Sequence, residues 1–409
     1  MNKMIKHFYV LIVLMVCLFS FIACGSDKPE GTNYDGKEFD LSLTKDDKVV
    51  AKTKKIDNGY QLTISGSGDT KDFSSKQNVP WNAIVKKITE IVIEEGVESL
   101  GDYFFNSTTV DSFYLPSSVK KVMENTFNET GIVYSYSSEE IDAKCSNKVY
   151  YYSENKPEVE NVYWHKIGEV EVIWKKYKIF FIGNSFTYYP NDQFNIDNPA
   201  VCSLFKELAN SMNIDVEVDF VVKGAYKLSQ FANPNDEYGK KVDEKLKACD
   251  DYEYVILQEQ SVTPVNEYNS FSQAVSSLSQ KINKTQKDAK IILYATWGYP
   301  SAVSANTIFS SVSEMEKLLT EAYEKCAMEV NAKVNYVGKA FTEVYENHKD
   351  INIYGNDNKH QNYAGAYLSA CVHLSSIFGV DVRNVEFTGN LEKNVAKTLQ
   401  EIAYKISIK

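Results

Sequence analysis

A hydroxyl, an imidazole and a carboxylate suffice for acyl transfer without a metal, and this chain has five histidines from which to supply the imidazole. His7 lies in an apolar N-terminal segment, and His373 sits in the apolar helical stretch Ala370-Cys371-Val372-His373-Leu374, where a core histidine is the plainer reading. His165 follows two aromatics, and His348 is set among Glu346, Lys349 and Asp350, a solvated surface. His360 differs. Asp357 stands three positions before it in a polar loop, and a helix pattern begins directly after it at Tyr363-Ala364-Gly365. A carboxylate so placed can bond one ring nitrogen, fix the tautomer and leave the other nitrogen to accept a proton.

The partner hydroxyl must come from elsewhere. In Ile182-Gly183-Asn184-Ser185-Phe186-Thr187 a glycine and a serine follow a short apolar run, a turn that exposes an Oγ beside backbone N–H groups. Taken alone, the same residues fit an ordinary strand-to-helix turn. Gly224, after Val221-Val222-Lys223, lets backbone approach a ligand and offers an N–H donor, or is a simple loop glycine. In Leu257-Gln258-Glu259-Gln260-Ser261 the amides of Gln258 and Gln260 can donate to a developing negative charge; the alternative is a solvated turn, with Glu259 a structural carboxylate. No CxxC or Cys/His cluster is present, so metal ligation is not expected, and acyl transfer by hydroxyl, imidazole and carboxylate calls for no other cofactor.

The elements around these residues alternate. Lys178–Ile182 reads as a buried strand, Ile214–Phe220 as a second, Tyr254–Leu257 and Ile291–Tyr294 as further ones, and Val334–Val337 as the last. Helical patterns intervene, one capped by Asn198-Pro199 and others at 271–284, 311–330 and 364–378. Alternation of this kind predicts an α/β domain, a parallel sheet with helices on both faces and chemistry at the carboxyl ends of its strands.

In order and position, four blocks of residues 175–409 resemble the SGNH (GDSL-like) serine hydrolases: Gly183-Asn184-Ser185, Gly224, Gln258-Glu259-Gln260 and the pair Asp357/His360. The wording "GNSFT", "LQEQS" and "YAGAYLSACV" is closest to a subfamily of unsettled function. The resemblance implies a flavodoxin-like three-layer αβα sandwich in which Ser185 attacks an ester carbonyl, His360 is general base and then acid, and Asp357 orients it. It also implies an oxyanion hole from the N–H groups of Ser185 and Gly224 with a side-chain amide. Asn184 replaces the family's Asp, and the asparagine of its third block is missing; Gln258 is the first expectation for that amide and Gln260 the second. The implied activity is removal of acetyl or another small acyl group from carbohydrate or glycan. Tyr188, Tyr189, Tyr226 and Trp297 are candidates for stacking on sugar rings, core packing being their alternative. The rival reading is a surface-binding lipoprotein with a non-catalytic, carbohydrate-binding domain; a lipase would need an acyl groove that the sequence does not display.

The first half of the chain reads differently. Lys3 and Lys6 precede an apolar run from Phe8 to Ala23 that ends at Cys24. It is shorter than the roughly 20 residues of a membrane span, as expected of a signal peptide over residues 1–23. Phe21-Ile22-Ala23-Cys24 resembles a lipobox, which implies lipidation of Cys24 and a membrane anchor. Residues 24–50 are polar and read as a tether. Within 51–170, Ile91–Leu100 and Phe113–Val122 repeat at an offset of 22, pairing Val97 with Val119, Leu100 with Val122, Phe105 with Phe127 and Asn106 with Asn128. These copies resemble the leucine-rich repeats of BspA-type surface proteins, which implies a small β-rich domain able to take a surface protein or glycan ligand. The net charge of −11 argues against nucleic acid, whose phosphates call for a basic face. Five cysteines beyond Cys24 are widely spaced and read as buried thiols.

Overall fold

The computed structural model describes residues 33–188, 194–305 and 308–408. Cys24 and the apolar run before it therefore lie outside the described residues, as does Tyr189. The chain divides into two compact units, one ending at Tyr152 and the other spanning Ser153–Lys409. Among the described residues no helix is long and apolar enough to cross a membrane.

The first unit opens with β1 (Glu38–Asp40), β2 (Lys48–Ile56), β3 (Gly59–Ser67) and β4 (Ile88–Ile93), which form a sheet in that order. The segment read as a tether up to residue 50 thus already contains strand. Val49 and Ala51 are fully buried while Lys48 and Lys52 face out, so the polar composition was that of a half-buried strand's outer face. Two stacks of parallel strands follow: β5 (Ser99–Leu100), β7 (Lys121–Val122) and β9 (Asp142–Ala143) in one, and β6 (Ser112–Leu115), β8 (Ile132–Ser135) and β10 (Val149–Tyr152) in the other. Ser99 pairs with Lys121 and Leu100 with Val122, so the sequence offset is one turn of a stacked coil. Val97, Leu100, Val119 and Val122 are wholly buried, and the Phe105 and Phe127 rings stack at 6.0 Å.

The second unit begins with the antiparallel pair β11 (Tyr163–Ile167) and β12 (Val170–Ile173), a segment the sequence reading grouped with the repeats. Five strands then build its central sheet: β13 (Tyr177–Gly183), β14 (Val216–Val222), β15 (Tyr254–Leu257), β16 (Lys290–Tyr294) and β17 (Lys333–Asn335). All pair in parallel, in the order β14-β13-β15-β16-β17. The connections carry α1 (Ser185–Tyr188), α2 (Ala200–Ser211), α3 (Leu228–Ala232), α4 (Glu237–Ala248), α5 (Thr263–Asn266), α6 (Tyr268–Thr285), α7 (Pro300–Ser304), α8 (Val312–Val330) and α9 (Val337–Asn347), with α10 (Tyr363–Phe378) and α11 (Lys393–Ser407) completing the chain.

Alternation along β13 divides the core. Ile179 and Phe181 face a cluster supplied by α2, α9, α10 and α11, whereas Phe180 and Ile182 face one supplied by α4 and α6. The result is a three-layer α/β sandwich. One strand boundary differs from expectation: β17 ends at Asn335, and Val337 opens α9 with its side chain fully buried. A short apolar run fits a strand's end and a helix's start equally well. Because the chain leaves β13 for β14 on one side and returns to β15 on the other, the order of strand addition reverses beside β13. A crevice opens at the carboxyl ends of strands at such a point.

Candidate active site

The last residue of β13 is Gly183, and Ser185 starts the single turn α1 immediately beyond it. The His360 loop reaches the same place from the opposite end of the domain. Its anchor is α10, capped by Asn362, whose Oδ1 accepts from Gly365 N–H at 3.1 Å. Tyr354 and Gln361 bridge across the loop, Gly355 N–H donates to His360 O at 2.8 Å, and Trp297 Nε1–H donates to Lys359 O at 2.9 Å. Gln361 is fully buried, and its Nε2 donates to Ser185 O at 3.1 Å. The histidine loop is thereby clipped to the serine turn by the residue next to the histidine.

His360 Nε2 stands 2.8 Å from Ser185 Oγ, across 175 residues of sequence. On the other side of the ring, His360 Nδ1 lies 2.5 Å from Asp357 Oδ2, and Asp357 Oδ1 accepts from the backbone N–H groups of Lys359 and His360 at 3.1 and 3.0 Å. Partial burial acts to raise the Asp357 pKa, but the hydrogen bonds from the His360 ring and these two N–H groups outweigh it and hold the carboxyl below its usual range. An ionised Asp357 favours the tautomer with the proton on Nδ1, which leaves Nε2 free to accept from the serine. Hydroxyl, imidazole and carboxylate thus form one hydrogen-bonded chain.

Ser185 and His360 open into a cleft of about 370 Å³ also lined by Tyr188, Gly224, Gln260 and Lys359. Gly224 follows β14 in a turn closed by Tyr226 N–H to Lys223 O at 3.2 Å, with Ala225 left-handed at φ 62°. Gly224 and Gln260 therefore arrive beside the serine as expected.

Gln258 does not. Its side chain is fully buried behind the turn, where Oε1 accepts from Asn184 N–H at 2.8 Å and from Thr187 Oγ1 at 3.1 Å. Its Nε2 donates to Asn184 Oδ1 at 2.9 Å and to Glu259 O. Both amide protons are used, so Gln258 has none for an oxyanion. The amide pair instead ties the exit of β13 to that of β15, and Asn184 Nδ2 extends the tie to Tyr226 O at 2.9 Å. A Cβ on Gly183 would sit 2.7 Å from Gln258 Oε1, so the close approach requires glycine there. Gln260 keeps its capacity: Oε1 accepts from Thr263 Oγ1 at 3.1 Å, and Nε2 makes no hydrogen bond among the described residues.

Trp297 is also displaced from its expected role. It is fully buried between Phe186, at 4.3 Å, and Phe341, at 4.0 Å, so it supports the serine turn and has no face for a sugar. Tyr226 packs on Phe231 and Tyr238, and Tyr188 does line the cleft.

Glu259, left open as a structural carboxylate, proves to be one. It is 1 % exposed, and its oxygens accept from Gln260 N–H at 2.6 Å and from Leu228 N–H, at the start of α3, at 3.1 Å. Burial pushes its pKa up to about 7 against the lowering effect of these bonds and of Lys227. The unfolded chain releases this proton near 4.5 and the folded chain near 7, so the contribution of Glu259 to stability is greatest below 4.5 and declines as pH rises through that window. The decline is worth about 3 kcal/mol at roughly 1.4 kcal/mol per unit of pKa. Glu259→Gln is expected to flatten it: melting temperatures measured from pH 4 to 8 should fall more for the native chain than for the variant, and parallel curves would refute the assignment.

Among the described residues, Cys145, Cys202, Cys249, Cys326 and Cys371 are free, and no group of His, Cys, Asp or Glu side chains is arranged to hold a metal ion.

No family model matches the sequence, and no curated protein matches it. Its structural neighbours are DUF4886 family and SGNH hydrolase proteins. A DUF4886 family protein from Bacteroides uniformis aligns with a TM-score of 0.48 at 17% identity, over 56% of this chain and 94% of its own. A candidate SGNH hydrolase from Slackia heliotrinireducens aligns with a TM-score of 0.40 at 22% identity, over 50% of this chain and 100% of its own. For an acetylxylan esterase from Geobacillus stearothermophilus the TM-score is 0.35 and the identity 14%, over 46% of this chain and 89% of that one.

Proposed function

We propose that the second unit is a serine esterase of the SGNH type that removes acetyl or similarly small acyl groups from carbohydrate or glycan esters. The observation that carries the reading is the continuous hydrogen-bonded chain from Ser185 Oγ through His360 to Asp357, assembled at the switch point of a parallel sheet. Ser185 Oγ attacks the ester carbonyl as His360 Nε2 takes its proton. The oxyanion is held by the N–H groups of Ser185 and Gly224 and by Gln260 Nε2. His360 then protonates the departing sugar hydroxyl, leaving an acyl group on Ser185. Water, deprotonated by the same nitrogen, attacks that acyl group and frees the acid.

A cleft of about 370 Å³, at the low end of small-molecule sites, favours a short acyl group over a fatty chain. We further propose that Cys24 carries a lipid that holds the enzyme at the outer membrane surface, and that the stacked coils are leucine-rich repeats of the BspA type that present it to a surface protein or glycan.

The test compares p-nitrophenyl acetate with p-nitrophenyl palmitate, alongside acetylated xylo-oligosaccharide. Rapid release of acetate with little turnover of the palmitate is expected. Preference for the long chain would replace the reading by a lipase. A folded protein inert to every ester would replace it by a binding protein.

A further inference from the structure

With Gln258 committed to Asn184, Gln260 alone is left of the two amides expected at the oxyanion, while the hydroxyl of Tyr188 stands beside the same region. Tyr188 lies three residues after Ser185 on the same turn, a spacing that puts both side chains on one face. Both line the cleft. The Tyr188 hydroxyl rests against Gly224 so closely that a Cβ built on that glycine would be 2.6 Å from it, so any larger residue there would push the phenol aside.

Two buried tyrosine hydroxyls of the same unit have partners. Tyr294 donates to Phe186 O at 3.3 Å and Tyr354 to Gly298 O at 2.7 Å. Tyr188 is half-buried, yet its hydroxyl makes no hydrogen bond among the described residues. A donor held beside the Gly224 backbone, on the cleft-lining face shared with the nucleophile, is arranged for a charge that appears only during reaction.

We infer that Tyr188 is a catalytic residue, its phenolic O–H donating to the oxyanion in the position Gln258 was expected to fill. The inference rests on the esterase reading above. The phenol keeps its proton throughout: it shortens a hydrogen bond to the carbonyl oxygen as negative charge builds and relaxes when the carbonyl re-forms, so no bond to Tyr188 is made or broken.

The experiment measures kcat and KM for p-nitrophenyl acetate, and the rate of fluorophosphonate labelling at Ser185, in the native chain, Tyr188→Phe and Tyr188→Leu. Loss of one oxyanion donor predicts a fall in kcat of about 10²–10³ in the phenylalanine variant, with KM and melting temperature nearly unchanged. The leucine variant, which loses the ring as well, should be little worse. Native kcat in Tyr188→Phe, with loss appearing only in Tyr188→Leu, would mean that the ring packs and the hydroxyl is idle, and the inference falls. A native chain that neither hydrolyses nor labels would instead sink the esterase reading and this inference with it, a result distinguishable from the first because it appears before any substitution.

Discussion

Replacing Ser185 with alanine is expected to end covalent capture of a fluorophosphonate probe and to cut kcat on p-nitrophenyl acetate by about 10⁴–10⁶, leaving only what binding and the oxyanion donors supply. The size of the effect follows from the absence of a substitute. Thr187 Oγ1 is committed to Gln258 Oε1 in the buried network behind the cleft, and the Tyr188 phenol, the other hydroxyl of the turn, has no base bonded to it among the described residues that would activate it. A water could take the serine's place beside His360, but it would lack the orientation that the α1 turn and the Gln361 clip impose on Oγ. Stability should hardly change, because Ser185 Oγ faces the cleft and the nitrogen it leaves behind can bond solvent. Intact-mass spectrometry after labelling reads the first outcome, steady-state kinetics the second and thermal unfolding the third. An alanine variant that keeps native turnover would falsify the assignment of the nucleophile.

The second large effect is expected at Asp357, and its sign pattern is more revealing than its size. Asp357→Asn places an amide against His360 Nδ1. If the amide N–H faces the ring, Nδ1 becomes the acceptor and the proton moves to Nε2, the tautomer that cannot take a proton from Ser185. A fall in kcat of about 10²–10⁴ follows. Asp357→Ala should lose less. The Asp357 side chain is 47% exposed, so water can enter beside Nδ1, accept its proton and preserve the productive tautomer. In a deeply buried triad that rescue would be unavailable. The comparison of kcat between the two variants is decisive: an alanine variant as poor as the asparagine one would mean that the carboxylate acts through its charge, or through its bonds to the Lys359 and His360 N–H groups, and that the tautomer is fixed without it. The depressed pKa adds a condition for the assay. Asp357 stays ionised down through the ordinary carboxylate range, so acid loss of activity above that range belongs to another group.

The side chains proposed to react were legible in the sequence because their signals are local. A carboxylate three positions before a histidine at a helix entry, and a glycine-serine turn after an apolar run, depend on neighbours within a few residues, and the structure brings those side chains together. Gly224 and Gln260 could be placed for the same reason, since each directly follows a strand whose apolar run is plain. Gln258 shows where that reasoning stops. Residue type and strand-end position suited it to a donor's role, but whether its protons are free depends on what lies opposite, and that is Asn184, 74 residues away in the turn that follows the adjacent strand. Trp297 fails in the same way: an aromatic after a strand looks available until Phe186 and Phe341 close on both faces.

In the first unit the offset of 22 residues was visible because every coil repeats one pattern of burial, whereas the strands at 38–40 and 48–56 were hidden by charged residues on their outer faces. The chain by itself determined which groups have the chemistry to react and most of the strands and helices of the second unit, since these follow from side-chain chemistry and from periodicity within a window of residues. Strand order was decided only on folding. It sets β13 between β14 and β15 and so chooses, among many polar side chains of similar chemistry, which ones spend their hydrogen bonds on each other and which keep them for a substrate.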